Sequence, residues 1–457
     1  MNSLPVVIIG AGCAGLSAAY TLKKQGVDAV VYEASNVVGG RCRSVYEDGY
    51  EFYAGAGSTE PQWTTTFTYL EELGLSDRVR RQAGVRYGFP LNGKIRTVPL
   101  GGSPLQMLGA VPEFIEFLFR GWPLKTYPQL LRTFKALSPY MKGVDTKKHD
   151  FASLREISNQ STADFVLAHG GQEALDYFFH CLLATMVLGR PKDISIAHPI
   201  ALFSLMGGMC TLDGGMGIIT AGLYEKVKDQ VRLNTPVTKV VVEDGKVTGV
   251  QTSEGFVAAD QVICCVDAHV ARQIVPDLPE TMRKPLETCN YSSTYYYQFG
   301  LEKPPIASGH PHQPDVIMIP DTVDSVLNFI SLGSVSTTHP VVVVGTRSWS
   351  PALDTMTAEE RRRVVITEIQ RFWPQFPTEP KKTKLFHWDR AVNLESPGQL
   401  VAINDLVDHH MDDVPGLHLA GEYLFIIACT EGALATGKAA ADKVAQLVHV
   451  PHAATAA

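Results

Sequence analysis

Residues 6–15 read VVIIGAGCAG, four apolar residues followed by glycines at Gly10, Gly12 and Gly15. The run has the length of a buried strand, and the spacing after it is G-x-G-x-x-G. Glycines placed this way allow a tight turn, a close backbone approach to a pyrophosphate, and close packing of the next helix on the strand. Leu16 to Gln25 continues as a helix, whose N-terminus presents partial positive charge to an anion. A second strand, Asp28 to Ala34, carries Glu33 about 20 residues past the glycines. A carboxylate there accepts hydrogen bonds from both hydroxyls of an adenosine ribose and repels a 2′-phosphate. The pattern predicts a βαβ unit with a dinucleotide site and argues against NADP.

The other end of the chain describes the same site. Leu419 to Ala441 reads LAGEYLFIIACTEGALATGKAAA, a strand, a loop and the start of a long helix. Such a segment suits one that closes over a flavin. A reduced flavin carries negative charge at N1, and a helix N-terminus stabilises such charge.

Composition bounds the rest. The 457 residues are 45% hydrophobic and 19% charged, with a formal net charge of −7. Length predicts two or three domains. Without a basic tract there is no electrostatic footprint for nucleic acid. The eight cysteines form no CxxC pair and no His/Cys cluster has metal-ligand spacing, so no metal is expected and the thiols read as buried and reduced. No run of about 20 apolar residues predicts a transmembrane helix, and a reducing cytoplasm is the simplest location. Val111 to Leu124, VPEFIEFLFRGWPL, places Phe114, Phe117, Leu118 and Trp122 at helical spacing. It reads as a helix on a core or pocket, with a peripheral membrane contact as the alternative.

Between the two ends the pattern is interleaved. Residues 85 to 203 are dominated by helical patterns broken by Pro and Gly, which suits a cap. Strands are expected at Val237 to Glu243, Lys246 to Thr252 and Gln261 to Cys265, with Asp244-Gly245 as a hairpin turn. Tyr291 to Leu301 and Val341 to Trp349 read as strands of a second sheet, and Thr357 to Phe372 as an amphipathic helix. The expected fold is α/β: a Rossmann-type FAD-binding domain from residues 1–84, 209–275 and 385–457, and an interleaved α+β substrate domain from 85–208 and 276–384. The latter combines a helical cap with a second mixed sheet.

After the second strand comes ASNVVGGRC, Ala34 to Cys42, which sets two glycines and Arg41 beside the pyrophosphate site. With this segment the chain resembles the flavin amine oxidase superfamily, which includes amine oxidases, protoporphyrinogen oxidases and carotenoid desaturases. The resemblance spans nearly the whole chain and is strongest at residues 6–60, 209–268 and 415–445. It implies non-covalent FAD, with its ADP half held by Gly10, Gly12, Ala14, Gly15, Glu33, Ala34, Gly40 and Arg41, and its adenine met by the backbone of Val237. It further implies Gly55, Ala56, Gly57 and Ser58 near the isoalloxazine ring, Gly421 and Glu422 near the ribityl–pyrophosphate region, and Thr430, Glu431 and Ala433 at the N1/O2 edge.

Three departures from the amine-oxidase pattern bear on substrate. The strand YSSTYYYQFGL, Tyr291 to Leu301, lacks the lysine such enzymes carry near the flavin. Cys429 stands where an aromatic cage residue is usual. LESPGQL, Leu394 to Leu400, has neither aromatic nor cysteine. Residues 88–100 and 387–400 look more like the protoporphyrinogen oxidase branch. Tyr295 and Tyr297 share one face of their strand and are candidates to line the pocket, with Cys429. No catalytic side chain is identified, because removing a hydride from carbon needs a flavin and orientation rather than an acid–base dyad. The expected function is an FAD-dependent oxidoreductase that dehydrogenates a C–C or C–N bond of an apolar small molecule by hydride transfer to flavin N5. An amine oxidase with an atypical cage and a non-redox flavin isomerase or mutase are the alternatives. The electron acceptor and the oligomeric state stay open, with dioxygen one candidate acceptor.

Overall fold

In a computed structural model of the chain, residues 4–82, 84–91, 93–100, 108–145, 150–205, 208–303, 314–332 and 339–449 are described. Two sheets organise them. The first has five strands in the order Leu417–Leu419, Val262–Cys264, Val6–Ile9, Ala29–Tyr32 and Val231–Arg232. Every pairing in it is parallel. A parallel strand covered on both sides has no polar face to show, which is why VVII is buried at every position.

Glycines let the helices reach this sheet. The helix Cys13–Lys24 buries nine of its twelve residues. A Cβ on Gly15 would lie 1.8 Å from the Gly10 carbonyl oxygen, so only glycine permits this turn of helix to lie against the strand end. The closing helix Thr430–His449 crosses the first helix just as closely: a Cβ on Gly437 would lie 2.1 Å from the Ala14 carbonyl oxygen. The Ser17 hydroxyl donates to the Leu434 carbonyl at 2.7 Å across the same contact.

The second sheet has seven strands, in the order Lys382–Trp388, Thr294–Gly300, Val341–Thr346, Leu327–Leu332, Val316–Met318, Val85–Leu91 and Lys94–Leu100. It is antiparallel except where Val316–Met318 meets Val85–Leu91. The expected amphipathic helix is Ala358–Phe372, opened by a capping box of Thr357 and Glu360. The expected hairpin joins Val237–Glu243 to Lys246–Thr252. Asp244 and Gly245 both have positive φ, 51° and 77°, as a two-residue turn of this hand requires.

Two expectations are corrected here. Residues 85–100 are not part of a helical cap. They form a hairpin at the edge of the second sheet, and the helices begin at Val111. Gly88 and Pro90 break the β pattern in the sequence, yet Gly88 is needed because a Cβ would lie 2.7 Å from Pro314 and 2.8 Å from Ile95. The expected boundary at 385 would cut the Lys382–Trp388 strand, which belongs to the second sheet along its whole length.

The Gly437 contact is testable. Gly437→Ala sets a methyl against backbone that cannot swing aside, and overpacking of this kind costs about 1–3 kcal/mol. The expected result is a lower urea midpoint with unchanged slope; a midpoint equal to that of the native chain would show that the helices do not touch there.

Candidate active site

A cavity of about 560 Å³ runs from the glycine turn to the face of the second sheet. At its polar end the turn is held by its own acidic residue. Glu33 accepts the Ala11 N–H through Oε2 at 2.7 Å, and the Ser35 N–H and hydroxyl through Oε1 at 2.9 and 2.8 Å. Gly39 then donates to the Ala11 carbonyl at 2.8 Å, which ties the Gly39-Gly40 turn to the first one. Gly39 and Gly40 both have positive φ, 96° and 52°. A Cβ built on Gly12 meets no atom within 4 Å, so the space beside it belongs to the cavity. That is the free volume a pyrophosphate needs against the N-terminus of the Cys13–Lys24 helix.

Arg41 links the two ends of the chain. Its guanidinium pairs with Glu422 at 2.8 Å and donates to the Ala391 carbonyl at 2.9 Å. Burial works against the arginine charge, and the Glu422 carboxylate more than restores it. The expected pyrophosphate partner is thus already engaged by a carboxylate, and only its remaining N–H groups are available to a phosphate.

The eighteen expected cofactor positions divide clearly. Gly10, Gly12, Ala14, Glu33, Gly40, Arg41, Gly55 to Ser58, Gly421, Glu422, Thr430 and Ala433 line this one cavity, with Cys429. Others do not. Gly15 serves packing, as described, and Ala34 and Val237 lie outside the lining, Val237 at the start of its hairpin paired with Thr252. Glu431 is buried and turned away: its carboxylate accepts the N–H groups of Thr65 and Thr66 and the Thr66 hydroxyl, all at 2.8 Å. It caps the helix Thr64–Glu72, where a carboxylate complements the helix dipole.

The second sheet supplies the apolar wall, with the opposite parity to that expected. Thr294 and Tyr296 face the cavity. Tyr295 and Tyr297 face the helix Ala358–Phe372 instead. The Arg361 guanidinium sits 3.9 Å from the Tyr295 ring centre, and Tyr297 stacks on Phe299 at 5.7 Å. Tyr296, Phe329, Trp388 and Tyr87 are the wall residues that sequence reasoning missed. Strand alternation separates the two faces of Thr294–Gly300 but does not say which one the cavity takes. Trp388 is fixed by donating its indole N–H to the Ala54 carbonyl at 2.7 Å.

The charges lining the cavity are Glu33, Arg41, Glu60, Asp267 and Glu422, and among the described residues no lysine or histidine lines it. Burial pushes the Cys429 thiol up to about 12, so it stands neutral beside the Gly432 N–H that donates to its sulfur at 3.5 Å. Burial likewise holds the Tyr53 phenol, hydrogen-bonded to Tyr296, at about 12. A second, wholly apolar and aromatic cavity of about 380 Å³ abuts the first and shares Tyr87 and Met186 with it.

A parallel-sheet strand ending in a glycine turn, an acidic residue closing the next strand, and a long cavity sealed by the last helix define a dinucleotide-binding flavoprotein. The family model described as flavin containing amine oxidoreductase matches residues 13–445. The chain belongs to this family. Among curated proteins it is 29% identical to the mitochondrial protoporphyrinogen oxidase of Nicotiana tabacum over 194 residues, 42% of this chain and 34% of that protein. It is 26% identical to an L-amino acid oxidase of Cerastes cerastes over 303 residues, 64% of this chain and 57% of that one. The matches thus span about a third to under two thirds of these relatives' lengths. A putrescine oxidase structure superposes with a TM-score of 0.76 at 18% identity, covering 97% of this chain and 99% of that one. The cyclohexylamine oxidase of Brevibacterium oxydans IH-35A gives 0.73 at 19%, covering 98% and 99%. At these identities the superpositions show the fold. Among the described residues no helix is long and apolar enough to cross a membrane.

Gly12→Val separates folding from cofactor binding. The new side chain enters open cavity rather than protein. The expected outcome is a soluble, cooperatively unfolding but colourless protein; a variant purified with a full complement of FAD would place the pyrophosphate elsewhere.

Proposed function

We propose that the protein oxidises a C–C or C–N bond of an apolar small molecule, with FAD held non-covalently. The observation that carries this reading is the division of one cavity into a polar half, between the two glycine turns and Thr430, and an apolar half walled by Tyr296, Phe329 and Trp388. Gly10, Gly12, Ala14 and Gly40 would hold the pyrophosphate, Glu33 the ribose through the lone pairs its own turn leaves free, and the N–H groups at Thr430 to Ala433 the electron-rich edge of the ring. Bound FAD supplies a two-electron acceptor for a hydride. The chain's part is to orient the substrate and exclude water. Tyr296, braced by Tyr53, and Trp388, anchored to Ala54, form rigid walls for this. The neutral Cys429 adds no charge beside the reacting face. The eight cysteines are all free, which fits a reducing cytoplasm. Dioxygen is the acceptor we favour.

An amine oxidase with an unusual cage has one observation of its own. Tyr296 and Trp388 put aromatic faces on the cavity from the second sheet rather than from Cys429 and Leu394 to Leu400, where such a cage was sought. The absence of lysine and histidine from the lining among the described residues favours the first reading, because neither base that titrates nearest to neutral or alkaline pH is there to take a proton from an ammonium substrate.

Two measurements bear on these points. Acid precipitation should release all of the flavin into the supernatant; yellow colour in the pellet would mean a covalent bond. In anaerobic stopped-flow mixing, benzylamine and putrescine should bleach the flavin slowly or not at all, and a bulkier cyclic or conjugated compound quickly. Fast bleaching by either simple amine would replace the first reading with the second, and no bleaching by any member of a broad panel would favour the isomerase or mutase alternative.

A further inference from the structure

Seven of the sixteen large apolar side chains exposed among the described residues lie between positions 108 and 131. On the helix Val111–Arg120, Val111, Ile115 and Phe119 recur every four residues and so share one face, with Phe119 70% exposed. Leu124 and Leu131, 64% and 73% exposed, extend this surface onto the start of the helix Thr126–Met141. A soluble surface rarely gathers apolar side chains so densely without a use for them.

Charge is sorted around the patch. Both acidic residues of the first helix are paired: Glu113 meets Arg86 at 3.3 Å and Thr97 at 2.6 Å, and Glu116, partly exposed, lies 2.9 Å from Arg96 and 3.9 Å from Arg120. The exposed charges beside the apolar side chains are basic, namely Arg120, Lys125, Arg132 and Lys135. In a chain of net charge −7 this is a local reversal of sign. The inner face of the same helix is also apolar. Phe114, Phe117 and Leu118 line the 380 Å³ aromatic cavity, which shares Tyr87 and Met186 as wall residues with the cavity assigned to FAD. Leu118 is 42% exposed and lines that cavity as well, so it stands at the mouth.

We propose that this face docks on an anionic lipid surface, with Ile115, Phe119, Leu124 and Leu131 inserted among the acyl chains and the four basic residues at the headgroups. Apolar side chains ringed by cations complement an anionic bilayer in both respects. The opening at Leu118 then faces the phase in which an apolar molecule is dissolved. Docking itself does not rest on the reaction proposed above; only the direction of substrate supply does.

The test is vesicle flotation of the FAD-loaded full chain, using phosphatidylcholine alone and phosphatidylcholine mixed with phosphatidylglycerol. The native protein is expected to float with the anionic vesicles, less so at high salt. Ile115→Asp with Phe119→Asp should lower partitioning by at least about a hundredfold, from the apolar burial lost. Each of Lys125→Gln and Lys135→Gln should lower it by about fivefold. Flavin content and the urea midpoint are controls that all variants should preserve, since none of these side chains lines either cavity. A native protein that stays at the bottom of the gradient with both vesicle types, or a double variant that floats as well as the native one, would overturn the proposal. Self-association without flotation, abolished by the same double variant, would overturn it in favour of a second copy of the chain.

Discussion

Backbone touches backbone where the first and last helices cross. Ala14 and Gly437 meet with no room for a methyl group, and Gly15 lies just as tightly on Gly10. These contacts bring a segment that starts at residue 13 against one that starts at residue 430, and the dinucleotide cavity is the space at their shared N-terminal end. Two helix N-termini thus converge on one volume. Each contributes partial positive charge, and such charge is strongest where water is excluded. The five-stranded parallel sheet behind them is what holds both helices at that distance.

The remaining charges of the cavity are held in place by each other or by the backbone. Glu33 spends much of its acceptor capacity on the glycine turn that it closes, so it shapes the turn while lining the cavity. Arg41 and Glu422, far apart in sequence, form an ion pair that neutralises both and locks the second turn to the C-terminal segment. Further along, polarity falls away. Tyr296, Trp388 and Phe329 come from three strands of the second sheet, and beyond Tyr87 and Met186 the lining is aromatic and aliphatic only. Charged and apolar linings thus stand in neighbouring spaces, with the Val111–Arg120 helix at the outer wall of the apolar one.

Glu431 shows how one motif serves two ends. The backbone at TEGA opens the closing helix toward the cavity, while the glutamate side chain points the other way and caps the helix Thr64–Glu72. A buried carboxylate needs several donors to compensate its desolvation, and the free N–H groups of a helix start provide them. The residue therefore anchors the helix that bears Thr430 and Ala433 rather than facing the cavity.

The amino-acid sequence by itself determined what depends on local spacing. Glycines at 10, 12 and 15 with Glu33 at the end of the next strand, the Gly39-Gly40-Arg41 turn, the Asp244-Gly245 hairpin and the helix after Thr357 are each specified within a stretch of at most about two dozen residues, and each stands in the structure where its spacing places it. What the sequence could not determine depends on partners remote in the chain. Alternation distinguishes Tyr295 and Tyr297 from Thr294 and Tyr296, but only the docking of Ala358–Phe372 on one side of the strand leaves the other side to the cavity. The Val85–Leu100 hairpin is broken by Gly88 and Pro90 and becomes legible as β structure only through its pairing with Val316–Met318. The aromatic wall is assembled from strands that begin at residues 294, 327 and 382, and no short-range pattern records that these share one sheet. Short-range geometry is written in spacing; which face is inside is decided by the elements that pack against it.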